Sequence, residues 1–232
     1  MNEGTEARSV LSRPPPPRRS AVLPEPPEDE HDLYPAHEEE NVPEKAQHEL
    51  QVRYLRGALA VYLPEKWVTG NICMYWEKGN VQQYAAPDVL VVDGEPSDPP
   101  PGVYLRWADA PPLLVIEVGS KSTFLADEGP KLNVYGFNLG VPEYLYFHPD
   151  RQELRFHRLG ARGYEAVPAD ARGWVHSETL DVWFGIDEAG WLRIYTPEGE
   201  RLRSHEEEAR ARAEAEAEVE RLRAELARLR GG

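Results

Sequence analysis

The sequence predicts an α/β fold, a mixed β-sheet core flanked by helices, with a disordered N-terminal arm and a C-terminal helical tail. Three observations carry this. The run PLLVIEVGS (112–120) is continuously apolar and β-branched, as central strands buried on both faces are. An apolar pattern at helical spacing precedes it, and alternating strand-like segments follow it. Between them the segment order is helix, strands, central strand, helix, strands, which fits helices packed against one sheet.

Residues 1–43 read as an arm. They carry nine of the 22 prolines, including Pro14 to Pro17 followed by Arg18 and Arg19, and an acidic excess with few apolar residues. Such a stretch cannot bury enough surface to offset its ordering entropy. The proline run is read as a linker, with a polyproline docking motif as the alternative. Leu50, Tyr54, Leu55, Ala58, Leu59, Val61, Tyr62 and Leu63 then recur at helical spacing, giving a helix over roughly 44–63 that Pro64 ends. Residues 71–80 read as a strand into a Gly-Asn turn, and 86–94 as a short buried strand closed by Asp-Gly. Six prolines make 95–112 a loop. A helix is expected over 125–139, stopped by Gly140. Strands follow at 141–149, 153–159, 180–186 and 191–196, so the ordered domain spans 44–200.

Residues 204–230 are almost wholly Ala, Glu, Arg and Leu, all strong helix formers. Ala215, Val219, Leu222, Leu226 and Leu229 form a seam with 4–3–4–3 spacing, but Arg212 and Glu208 occupy the next seam positions. The tail is either a solvated single helix or a short coiled coil that makes a homodimer.

Composition narrows the function. The chain has 232 residues and a formal charge of −15, which argues against coating nucleic acid by bulk charge but leaves room for a local basic groove. No apolar run approaches the roughly 20 residues of a membrane span, so no membrane partner is expected. Cys73 is the only cysteine, which excludes an intrachain disulfide and a cysteine-cage zinc site. With no apolar leader at the start, a reduced cytoplasmic protein is the natural expectation. The six tryptophans are widely spread and are expected to pack in the core rather than form a base-stacking platform.

Two strand-like segments bear carboxylates. Asp88 opens VLVV, and Glu117 sits inside LLVIEV, where an acid is costly unless paired or bound to a cation. Brought together, the two make a hard oxygen site suited to Mg²⁺ or Mn²⁺. Taken singly, Glu117 could instead form a buried ion pair and Asp88 cap a turn. Asp127, Lys131 and Tyr135 fall at i, i+4 and i+8 on one helix face. An ammonium at Lys131 could stabilise charge on a reacting oxygen, or simply pair with Asp127. Lys121, in the turn after Glu117, is its competitor.

The segments APDVLVV, LLVIEVGSKST and DEGPKLNVYGFNLGVPEYLYF closely resemble the Uma-two family of putative restriction endonucleases, over about residues 44–200. That resemblance implies a restriction-endonuclease-like fold of the PD-(D/E)XK nuclease superfamily. It makes Asp88 and Glu117 the metal-binding acids. Gly119 stands where the superfamily carries a lysine, and Lys131 matches a position to which that lysine moves. His48 matches a further recurring position and is equally a packing histidine. The expected activity is hydrolysis of DNA phosphodiester bonds by a magnesium-dependent endonuclease. Asp88, Glu117 and Lys131 would be catalytic, and Asp88, Glu117 and the carbonyl of Val118 would hold the metal. The alternative is a catalytically silent nuclease-like module that binds nucleic acid or protein.

Overall fold

The computed structural model describes residues 46–119 and 128–230. The expected arm, Asp127 and the turn bearing Lys121 lie outside them. Helix α1 (Ala46–Tyr62) buries His48, Gln51, Val52, Tyr54, Leu55, Ala58 and Leu59, the single stripe its spacing dictates. Twelve short strands follow among the described residues: β1 (Trp67–Thr69), β2 (Met74–Tyr75), β3 (Tyr84–Ala85), β4 (Val89–Val92), β5 (Tyr104–Leu105), β6 (Pro112–Val118), β7 (Glu143–His148), β8 (Glu153–Gly160), β9 (Gly163–Ala166), β10 (Val175–Ser177), β11 (Val182–Ile186) and β12 (Leu192–Tyr195). Helix α2 (Glu128–Asn133) links β6 to β7 and widens into a π-helical segment, Val134–Leu139. Helix α3 (His205–Arg230) ends the described chain.

Six strands form the main sheet in the order β1-β4-β6-β7-β8-β9. Within this sheet, among the described residues, only β6 and β7 pair in parallel, which is why a crossover must separate them in sequence. The sheet is mixed and β6 lies inside it, paired on both sides. Two smaller sheets, β10-β11-β12 and β3-β2-β5, complete the α/β architecture.

Alternation along β4 and β6 divides the core into two layers. Val89, Val91, Leu114, Ile116 and Val118 face α1 and the inner side of β10-β11-β12, joining Leu55, Leu59, Phe184 and Ile194. Leu90, Val92 and Val115 face the other way, joining Tyr135, Leu139, Tyr144 and Tyr146. Glu117 belongs by parity to this second layer, under α2 and its π-helical segment.

A buried acid ties the main sheet to the β10-β11 corner. Glu143 is fully buried and accepts from Arg158 Nε and Nη2 (both 3.2 Å), Ser177 Oγ (2.5 Å), Thr179 Oγ1 (2.7 Å) and the Glu178 N–H (2.8 Å). The tail is capped and held at its root as well. Ser204 Oγ accepts the Glu207 N–H (3.3 Å) while Glu207 Oε2 accepts the Ser204 N–H (3.0 Å), a reciprocal cap. Gly57 of α1 lies against Ser204, and the Tyr54 hydroxyl donates to the Leu202 carbonyl at 2.9 Å.

Several local expectations are corrected. The proline-rich loop at 95–112 contains β5, because Tyr104 and Leu105 are buried and pair in parallel with β2. The strand expected over 71–80 shrinks to Met74–Tyr75. Of the tryptophans, Trp67 is buried. Trp174 and Trp183 are only half-buried, on the outer side of β10-β11-β12, where the Arg172 guanidinium lies over both rings at 4.2 and 4.8 Å. Trp174 also stacks on Tyr195 with centroids 3.8 Å apart.

Candidate active site

The edge-to-edge pairing of β4 and β6 sets the two acids side by side. Val89 pairs with Ile116, so Asp88, one residue before β4, comes next to Glu117. Asp88 is held in place by the N–H of Val118, which donates to Oδ2 at 2.7 Å, and by His48 Nε2 at 3.3 Å from the same oxygen. Its backbone is pinned as well. Asn71 N–H donates to the Pro87 carbonyl at 2.8 Å, and a Cβ at Gly70 would overlap the Asp88 carbonyl oxygen. Glycine is therefore required where the chain passes beneath Asp88. Gly70→Ala is expected to cost about 1–3 kcal/mol and to displace the carboxylate; wild-type melting and activity in this variant would overturn that.

Glu117 is 5% exposed and, among the described residues, meets two groups from one helical face. The Tyr135 hydroxyl donates to Oε1 at 2.6 Å, and Lys131 Nζ lies 3.3 Å from Oε2. The i, i+4 spacing of Lys131 and Tyr135 delivers both groups to the same carboxylate. Tyr135 is the second residue of the π-helical segment, which closes on Gly140 in a left-handed conformation (φ 69°).

Burial pushes the Glu117 carboxyl up to about 7, and the neighbouring Asp88 adds to that rise; Lys131 and Tyr135 only partly offset it. The Tyr135 phenol is pushed well above its usual value by its own burial and by Glu117. Among the described residues Glu117 is thus only partly compensated for its burial. A perturbed acid beside a second acid and a half-exposed lysine marks this cluster as the functional candidate.

Gly119, where the resemblance expects a lysine, lies against the Tyr146 side chain. A Cβ there would overlap the hydroxyl and ring carbon of Tyr146 and press on His148 Cδ2. Tyr146 pairs with Glu117 across the parallel strands and covers the strand end where a side chain at 119 would start. A Lys131→Ala, Gly119→Lys double variant is therefore expected not to regain what Lys131→Ala loses; recovery of activity would show that Tyr146 yields.

All of the residues singled out from sequence and lying within the described chain converge here. Asp88, Glu117, Lys131 and Val118 come together, and His48 reaches them from α1, 40 residues before Asp88. The Val118 carbonyl leaves its strand on the same side as the N–H that meets Asp88. Gly70 and Tyr146 were not anticipated; a glycine beside a strand end and a tyrosine within an apolar strand carry no local signal of such contacts.

Among the described residues no group of three or more His, Cys, Asp or Glu side chains is arranged to hold a metal ion. Protein donors to a cation would be the two carboxylates and a backbone carbonyl, with water completing the shell. That donor set fits Mg²⁺ or Mn²⁺, hard ions that keep several waters. No helix of the described residues is long and apolar enough to cross a membrane.

No curated protein matches the chain. A crystal structure from Anabaena variabilis, described as a putative nuclease belonging to DUF820, is similar at 12% identity and a TM-score of 0.45, covering 59% of this chain and 75% of that one. The family model described as "Putative restriction endonuclease" matches residues 21–189, most of the sequence, and the chain accordingly belongs to the Uma2 family.

Proposed function

We propose that this protein is a divalent-metal-dependent endonuclease that hydrolyses DNA phosphodiester bonds. The observation that carries the reading is the juxtaposed acid pair: Glu117, pushed up to about 7 by burial and by Asp88, lies beside Asp88 and, among the described residues, within reach of the Lys131 ammonium. A divalent cation held there would supply positive charge, acidify a bound water and neutralise charge on the phosphate. Membership of a family described as "Putative restriction endonuclease" supports the same chemistry.

In this reading Asp88 and Glu117 hold the cation, with the Val118 carbonyl as a further donor. His48 and the Val118 N–H orient Asp88, and Tyr135 orients Glu117. Lys131 is 39% exposed at its side chain, so its ammonium faces both Glu117 and the solvent from which a phosphate arrives. It stabilises the negative charge that grows on phosphorus-bound oxygen as water attacks and the ester bond breaks.

The test is cleavage of supercoiled double-stranded and single-stranded DNA with Mg²⁺ or Mn²⁺, with and without chelator. Cutting by wild type that stops with chelator and in Asp88→Ala is the expected result. Metal-loaded protein that binds these DNAs but cuts none of them would replace catalysis with a silent binding role. Lys131→Ala is expected to lose more activity than Lys121→Ala, by about tenfold or more; the reverse order would move the catalytic lysine to position 121.

A further inference from the structure

We propose that α3 is one strand of a parallel, in-register coiled coil formed with a second copy of this chain. The helix is 26 residues long and none of its residues is buried. Val219, Leu222, Leu226 and Leu229 are exposed by 46, 47, 52 and 75%, although they are its largest apolar side chains and lie on one stripe. A helix of about 39 Å that buries nothing gains little from its own hydrogen bonds in water. Its ion pairs, such as Arg212–Glu216 and Arg221–Glu218, are exposed and add little.

The charges identify the occupant of the stripe. Spacing puts Val219 and Leu226 at heptad positions a, and Ala215, Leu222 and Leu229 at d. Glu218 and Glu225 then fall at g, and Arg223 and Arg230 at e. In a parallel pair each g residue meets the e residue five positions on in the other strand. Glu218 therefore faces Arg223 of the partner subunit, and Glu225 faces Arg230 of the partner subunit. Both contacts are attractive, and symmetry repeats each on the other side.

An antiparallel pair would set g against g and e against e, glutamate on glutamate and arginine on arginine at these positions. The stripe is thus complementary to itself in one orientation. Valine at a with leucine at d suits two strands. Arg212 at a and Glu208 at d interrupt the seam toward the folded core, which confines pairing to about the last two heptads. A short seam of this kind makes a weak, concentration-dependent dimer.

Sedimentation of the full chain at tens of micromolar, with two charge-reversed variants, tests the proposal. Glu218→Arg with Glu225→Arg makes g and e both positive; Arg223→Glu with Arg230→Glu makes both negative. Each variant alone is expected to dimerise at least about tenfold more weakly than wild type, and their equimolar mixture to regain the wild-type dimer. These surface changes leave the core packing untouched, so the melting temperature serves as the folding control. A wild-type chain that stays monomeric, a trimer or tetramer, or a charge-reversed variant that dimerises as well as wild type would each overturn the parallel two-stranded pairing.

Discussion

Glu117→Gln is expected to abolish metal-dependent DNA cleavage, by at least about a hundredfold, while the chain stays folded. The substitution keeps side-chain volume and one acceptor for Tyr135, but removes the charge that would hold a cation. It is also expected to change how stability depends on pH. The native carboxyl ionises near 7 instead of 4.5, so between those values the unfolded chain gives up its proton first. Metal-free wild type therefore loses stability as pH rises from about 4.5 to 7, by up to about 3 kcal/mol, and no more beyond. Thermal melts of wild type should slope downward through this window, and those of Glu117→Gln should be flatter. Because a cation binds the ionised form, added Mg²⁺ should raise the wild-type melting temperature more at pH 8 than at pH 5.5. Parallel slopes in the two proteins would remove the burial argument for Glu117. Wild-type cleavage by Glu117→Gln would remove the site assignment.

Glu143→Gln is expected to do the opposite, lowering stability by about 3–5 kcal/mol without touching the chemistry directly. This acid is also fully buried and also lies in a strand, yet five hydrogen bonds from Arg158, Ser177, Glu178 and Thr179 surround it. Glutamine keeps one carbonyl acceptor but puts an amide NH2 where the second carboxylate oxygen accepted. Part of those donors then lose their acceptor and Arg158 loses its buried anionic partner, which loosens the β10-β11 corner from the main sheet. Denaturant melts of the variant should shift strongly, and whatever fraction remains folded should cut DNA at the wild-type rate per folded molecule. A loss below about 1 kcal/mol would mean that Glu143 is not the hub its contacts describe. The two variants together separate an acid that organises the fold from one proposed to hold a cation.

Local pattern was enough for much of the molecule. The apolar run at 112–120 marked β6 as a strand paired on both sides, because only a doubly covered strand tolerates such continuity. The acids of that strand and of the segment before it stood out because a charge inside apolar sequence needs a reason. Helical spacing put Lys131 and Tyr135 on one face, and that face meets Glu117. The tail was legible too, since Ala, Glu, Arg and Leu all favour helix.

Contacts between distant segments were decided by tertiary structure alone. The strands β2, β3 and β5 are two residues each, too short for any periodicity, and exist because burial and register pair them. Nothing near Gly70 or Gly119 foretells that one must clear the Asp88 carbonyl and the other the Tyr146 hydroxyl. Trp174 and Trp183 left the expected core because strand parity turned them outward, where Arg172 covers them. The physical reason is common to all of these. A sequence declares the period and polarity of each segment, whereas which atoms meet across it depends on register and packing set by every other segment at once.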